Sequence, residues 1–198
     1  YMQIARCYRD EDLRADRQPE FTQIDLEMSF ADEEDIIAVN EGFIKRIFDE
    51  FMHMPLEIPF ARMTWHEAME RYGSDKPDTR FALELINITD AVRDSSFAVF
   101  KNAVAEGGSV RAINVPGGAS FSRKEIDSLV EYVKTYGARG LAWYKHAADA
   151  VSSSFAKFLT EDELKAITDI TGTGEGDLLL IVAAKNKVVF DSLGALRC

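Results

Sequence analysis

The sequence predicts an α+β protein in two parts: an antiparallel hairpin followed by helices, then a compact α+β domain whose sheet is covered by helices. Three observations predict it. From Phe21 to Phe30 apolar and polar residues alternate, with Thr22, Ile24, Leu26, Met28 and Phe30 on one side and Gln23, Asp25, Glu27 and Ser29 on the other. Directly afterwards Ile36, Ile37, Phe43, Ile44, Ile47, Phe48 and Phe51 recur at helical spacing. Beyond residue 80, strand and helix patterns follow in mixed order and include the unbroken apolar run "LLLIVAA" at 178–184.

Residues 2–9 suit a partner strand for the alternating segment. The stretch between them, within "RCYRDEDLRADRQPEFTQID" (6–25), holds four arginines and six carboxylates. It makes a hairpin loop over residues 10–20, too long for a simple turn and of a length that often carries function. Leu13 is its lone bulky apolar side chain, so it is expected to order on a ligand. Ile24, Leu26 and Met28 are expected to pack under a helix of residues 32–53. Asp32, Glu33, Glu34 and Asp35 crowd that helix's first turn, where its dipole favours negative charge. "TWHEAMERYG" pairs Thr64 with Glu67 as a capping box and stops at Gly73, leaving His66 on a helix surface. "GSDKPDT" (73–79) reads as a linker. Then come a strand near 83–88, helical segments near 89–105, a strand at 109–115 and a turn at "PGG". A helix at 122–136 opens with Ser122 and Glu125. A strand at 141–146, a helix from Thr160, the strand at 178–184 and a helix at 185–196 complete the order.

The chain has 198 residues, 46% of them hydrophobic, enough for one large domain or two small ones. Its net charge of −11 is uneven: residues 1–80 hold 10 basic and 19 acidic residues (−9), and 81–198 hold 13 and 15 (−2). A whole-protein basic field for nucleic acid is excluded, so contact with a polyanion must be local, through placed arginines. The charge shift suggests a boundary near residue 80. No apolar run approaches a membrane span and no secretory signal opens the chain, so no membrane partner is expected. "YMQIARC" reads as an interior strand, which suggests a piece of a longer protein. Cys7 and Cys198 read as free thiols in a reducing cytosol. His53, His66 and His146 stand apart from them, so no metal site is expected.

The hairpin has the chemistry for a nucleotide and an amino acid. Arg9, at a strand end, offers a fixed fork for phosphate or carboxylate. Phe21 offers a flat face for a base, and Asp25, beside Gln23 and Glu27, a carboxylate for an ammonium. Glu11 can face the same side as Arg9. Salt-bridged arginines on a solvated loop remain the plain alternative.

"YRDE", the charged loop and "PEFTQID" together resemble motif 2 of class II aminoacyl-tRNA synthetases, and the full "RDEDLRADRQPEFTQID" is similar to the bacterial aspartyl-tRNA synthetases. "RMTWHEAMERYGSDKPDTR" (62–80) is similar to a second stretch of that family. "VPGGASFSRKEID", "YGARGLAWYK" and "FDSLGALR" resemble its inserted GAD domain. The resemblance implies a partial class II catalytic domain at 1–80, a GAD insert at 81–193, and the start of a return to the catalytic domain at 194–198. It implies ATP as substrate, bound with Mg2+, with L-aspartate and tRNA as partners. The parent enzyme would be a cytoplasmic homodimer, and whether it charges asparagine tRNA as well stays open. Arg9 matches the motif 2 arginine that contacts both the α-phosphate and the substrate carboxylate, and is the catalytic candidate. Arg9, Asp10, Glu11, Gln18 and Phe21 match ATP contacts, Phe21 as the ring that stacks on adenine. Arg9 and Asp25 match the aspartate pocket, and Arg14 lies in the loop that reaches the acceptor end of tRNA. Motif 1, the remaining aspartate-pocket positions, motif 3 and the anticodon-binding barrel have no counterpart in this sequence. The isolated chain is therefore expected to be inactive. The alternative is a non-catalytic, tRNA-contacting or structural insert. Arg111, Arg123, Lys124, Arg139 and Lys145 read as either solvated surface or tRNA contacts. "TGTGEGD" (171–177) reads as a turn before a strand rather than a phosphate loop.

Overall fold

The computed structural model describes residues 1–198 apart from 13–15 and 149. The chain divides into two compact units, Tyr1–Arg62 and Met63–Cys198.

In the first unit β1 (Met2–Tyr8) and β2 (Glu20–Leu26) form the expected antiparallel hairpin, with Cys7 opposite Phe21, Ala5 opposite Gln23 and Gln3 opposite Asp25. β2 ends at Leu26 rather than Phe30, because the chain bends there and Phe30 takes φ 58°, outside the extended region. Helix α1 (Glu33–Ile47) continues into one wide π turn, Phe48–Met52. The acidic run does what helix-end electrostatics requires. The Asp32 carboxylate accepts the Glu34 and Asp35 amides, Asp35 accepts the Asp32 amide at 3.1 Å, and Glu34 meets Arg62 at 2.6 Å.

One expectation fails here. Ile24, Leu26 and Met28 do not pack under the helix; they are 54%, 42% and 49% exposed. Ile36, Val39, Phe43 and Ile44 of α1 are exposed too. Among the described residues of this unit the ribbon has no third strand and no residue is buried.

The second unit holds the core. Five strands form one antiparallel sheet in the order β3 (Ile86–Asn87), β4 (Ser109–Val115), β7 (Leu178–Ala184), β5 (Ala142–Ala147) and β6 (Ala150–Ser153). Its helices are α2 (Trp65–Tyr72), α3 (Ala98–Ala105), α4 (Arg123–Lys134), α5 (Glu161–Thr171) and α6 (Asn186–Leu196). β7 shows why "LLLIVAA" does not alternate with polar residues. Leu178, Leu180 and Val182 pack with Ile126 and Val133 of α4 and Val189 and Leu193 of α6. Leu179 and Ile181 pack on the opposite face with Phe100 of α3, Ile167 of α5 and Phe155, which lies between β6 and α5. Both faces are covered, so every position must be apolar. The strand expected at 83–88 shrinks to Ile86–Asn87, and β6 went unanticipated because its four residues sit in the polar run "AVSSS".

The units meet at 62/63, upstream of the boundary near 80 that charge and texture suggest, and α2 lies within the second unit. Three contacts explain this. A Cβ added at Gly194 of α6 would lie 2.5 Å from the Gly73 carbonyl oxygen, so the two backbones cross at glycine distance. Arg111 of β4 is 4% exposed and pairs with Glu70 of α2 at 2.7 Å, its guanidinium 4.9 Å from the Phe190 ring centre. Arg197, also buried, donates to the carbonyls of Asp78 (2.9 Å) and Ala82 (3.0 Å), and stacks on Tyr72 and Phe81. "GSDKPDT", read as a linker, is thus clasped. Residues 194–198, read as leaving the second domain, are packed in the same unit as α6.

The glycine-rich 171–177 segment is a turn held from inside. The Asp177 carboxylate accepts the Gly174 amide (3.0 Å), the Asn114 side chain (3.1 Å) and the Gly117 amide (3.2 Å). Amides that an anion would need are bonded to the chain's own carboxylate.

Two predictions follow from this packing. Limited proteolysis should leave a resistant fragment beginning near Met63, with early cuts in 1–62; first cleavage within 74–82 would show that the Arg197 clasp does not hold. Hydrogen bonds from the Gly174 amide, then Asn114 and the Gly117 amide, with the His146 charge nearby, hold the Asp177 carboxyl below the usual carboxylate range. A depressed folded-state value means that its stabilisation is complete above about pH 4 and is lost as pH falls through the lower folded value. Asp177→Asn should therefore lower Tm at neutral pH and flatten the acid limb of Tm against pH. An acid limb identical to wild type would remove Asp177 from this role.

Candidate functional site

The hairpin's register sorts its side chains. Opposed residues share a face, so Gln3, Ala5, Cys7, Phe21, Gln23 and Asp25 line one side. Phe21, Gln23 and Asp25 are half-buried there, whereas Ile24 and Leu26 on the other side are exposed. The polar face is thus the better shielded one, by its own cross-strand contacts. Gln3 donates to Asp25 at 3.2 Å, and the Cys7 thiol donates to the Gln23 side-chain oxygen at 3.1 Å. Cys7 and Cys198 are both free thiols.

Arg9 sits one residue beyond β1. Its amide donates to the Pro19 carbonyl at 2.8 Å, which extends the ladder by one step and fixes where the side chain starts. The guanidinium carbon lies 5.1 Å from the Phe21 ring centre, within cation–π range. Glu11 stands between two cations, 3.8 Å from Arg9 and 3.5 Å from Arg17. The sequence sets Arg17 among the loop's counter-charges, and the structure assigns it to Glu11, six residues earlier in a folded-back loop. Arg6 pairs with Glu20 across the strands. Gln18 is exposed and, with Phe21, Pro19 and Arg6, lines an open depression of about 600 Å³. Asp10 is exposed beside Arg9. Arg14 lies outside the described residues. The structure therefore brings Arg9, Glu11 and Phe21 together, places Gln18 at the rim, and sets Asp25 deeper on the same face as Phe21. A cationic fork, a flat ring and a carboxylate on one face of the ribbon are groups suited to an anion, a base and an ammonium. Among the described residues, no group of three or more His, Cys, Asp or Glu could hold a metal ion. Among the described residues, no helix is long and apolar enough to cross a membrane.

The five cations considered as tRNA contacts separate. Arg111 is buried against Glu70 and belongs to the core. Lys145 donates to the Phe121 carbonyl at 2.8 Å. Arg123 stacks on Trp143 and bonds Asp127 at 2.9 Å. Lys124 and Arg139 are exposed.

The model of the class II tRNA synthetases (D, K and N) matches residues 1–190, and the chain belongs to that family. Curated proteins similar to this chain include aspartate–tRNA ligases. The chain is 60% identical over 198 residues to "Aspartate--tRNA ligase" of Ruminiclostridium cellulolyticum and 58% identical over 197 residues to the Clostridium acetobutylicum protein of the same name. It is 57% identical to "Aspartate--tRNA(Asp/Asn) ligase" of Caldanaerobacter subterraneus subsp. tengcongensis. Each match covers 100% of this chain and 33% of the relative, so the chain spans about a third of their length.

A free two-stranded ribbon is marginal in water. In this chain, β1 and β2 amides should exchange faster than those of β4 and β7 by on the order of a hundredfold or more. Equal protection in hydrogen exchange would show that the hairpin is held by more than its own ladder.

Proposed function

We propose that this segment is part of the active site of an aspartate–tRNA ligase, followed by its inserted GAD domain at about 81–193. The observation that carries the reading is the single constellation of Arg9, Glu11 and Phe21 at one end of the hairpin, with Asp25 below on the same face. The uncovered apolar face of the hairpin supports it: Ile4, Ile24 and Leu26 are side chains that a larger sheet would bury. In this reading the aspartate carboxylate attacks the α-phosphate of ATP, releasing pyrophosphate and leaving aspartyl-adenylate. The terminal ribose hydroxyl of tRNA then attacks the adenylate carbonyl and releases AMP. Arg9 bridges the two anions while charge develops between them, Asp25 meets the aspartate ammonium, and Phe21 carries the adenine. Asp10, Glu11 and Gln18 complete the ATP seat, and Arg14 meets the acceptor end. Catalysis of this kind is positioning and charge stabilisation. Magnesium belongs to the reading as ATP's counter-ion, and dimerisation and a cytoplasmic setting as properties of the whole enzyme.

The chain alone should give no aspartate-dependent pyrophosphate exchange above background, since the hairpin offers only part of a pocket. In a full-length ligase carrying this segment, Arg9→Ala should lower kcat/KM for adenylate formation by about 3–4 kcal/mol of transition-state stabilisation, as loss of a charge-stabilising donor does. Near-normal turnover in that variant would remove Arg9 from its role.

A further inference from the structure

The guanidinium of Arg9 and an adenine ring have a claim on the same surface. Phe21 is half-buried, and Arg9 lies over one face of its ring, 5.1 Å from the ring centre. The backbone of the arrangement is fixed and its side-chain contacts are loose. The Arg9 amide is fixed to Pro19, two residues before Phe21. Glu11 holds the guanidinium from the loop side at 3.8 Å and is itself tied to Arg17 at 3.5 Å. Arg17 thus steadies the cation through Glu11, without touching the ring.

We propose that Arg9 is the placeholder for adenine in the free protein, and that ATP binds by exchange: the purine displaces the guanidinium from Phe21, and the displaced Arg9 becomes the group that meets phosphate and carboxylate. This rests on the proposed adenine seat and adds to it a coupling between two contacts otherwise treated as independent. Base stacking then arms the arginine. A nucleotide enters before Arg9 is free to engage the amino-acid carboxylate, so ATP should promote aspartate binding. Glu11 changes partner in the same step. It gives up Arg9 and becomes available to the nucleotide, while Arg17 keeps it in place. No bond is made or broken; the exchange swaps a cation–π contact for a base–aromatic stack on one ring.

Adenosine separates the exchange from ordinary phosphate binding, because it has the base and no phosphate for Arg9 to hold. In a full-length ligase carrying this segment, Arg9→Ala should bind adenosine about two- to fivefold tighter than wild type, the reciprocal of losing an exposed cation–π competitor. It should bind ATP more weakly. Arg9→Gln, which keeps the side-chain stem, should behave alike and guards against a misfolded alanine variant. Phe21→Leu should weaken adenosine in every background. Isothermal titration reads all of these. Adenosine affinity unchanged or reduced in both Arg9 variants, with Phe21→Leu still weakening it, would overturn the exchange and leave the adenine seat standing. Adenosine affinity indifferent to Phe21→Leu would overturn the seat and the exchange with it.

Discussion

Burial of β7 on both faces is the constraint on which the second unit depends. One strand of seven residues sends Leu178, Leu180 and Val182 into one core and Leu179 and Ile181 into the other. It pairs with β4 on one edge and β5 on the other. Helices must cover both sides of such a strand, and α3 and α5 take one side while α4 and α6 take the other. Its flanks are fixed by the same logic. Asp177, just before the strand, collects the amides of two glycine turns, and Lys185, just after it, opens α6. α6 then carries Gly194 and Arg197 to α2 and the 78–82 segment. The order of that segment is a consequence of the strand, several contacts removed.

The hairpin obeys the same period of two with a different outcome. Its apolar side chains Ile24 and Leu26 are uncovered, and its polar side chains Gln23 and Asp25 are shielded by cross-strand partners. Apolar burial contributes little to its stability within its own unit. The ladder and pairs such as Arg6 with Glu20 hold it, and exposed pairs contribute weakly. A ribbon of this kind still fixes directions well, since each residue's face is set by register. That suffices to place Arg9, Phe21 and Asp25 on one side.

Much of this was legible in the sequence, and the failures share one cause. Alternation located β2, the capping pair Ser122 and Glu125 located α4, and a continuous apolar run located β7. These are local signals with local causes. The boundary suggested near 80 and the contact boundary at 62/63 differ because composition changes where the chain passes from acidic to mixed, whereas compactness follows long-range contacts such as Arg111 with Glu70 and Gly73 with Gly194. The packing of Ile24, Leu26 and Met28 was misread because an alternating strand announces that one face seeks cover, not what supplies it. At the site, motif resemblance picked out Arg9, Glu11 and Phe21. It did not show that Arg9 lies on Phe21 or that Arg17 braces Glu11, because side-chain partnership across a folded-back loop has no fixed spacing.

The arginines make the general point sharply. Arg111, Arg197 and Arg9 are the same residue type, each lying over an aromatic ring. Arg111 has a carboxylate partner and is 4% exposed; Arg197 is nearly as buried and donates to backbone carbonyls. Moving either would strand a desolvated charge or leave carbonyls unpaired, so both are structural. Arg9 has a side chain 56% exposed, a carboxylate at 3.8 Å and one ring. Water can replace each of those contacts at little cost, so Arg9 is free to move where the buried pair is not. In this chain the cations suited to bind and release anions are those whose own partners are weakest.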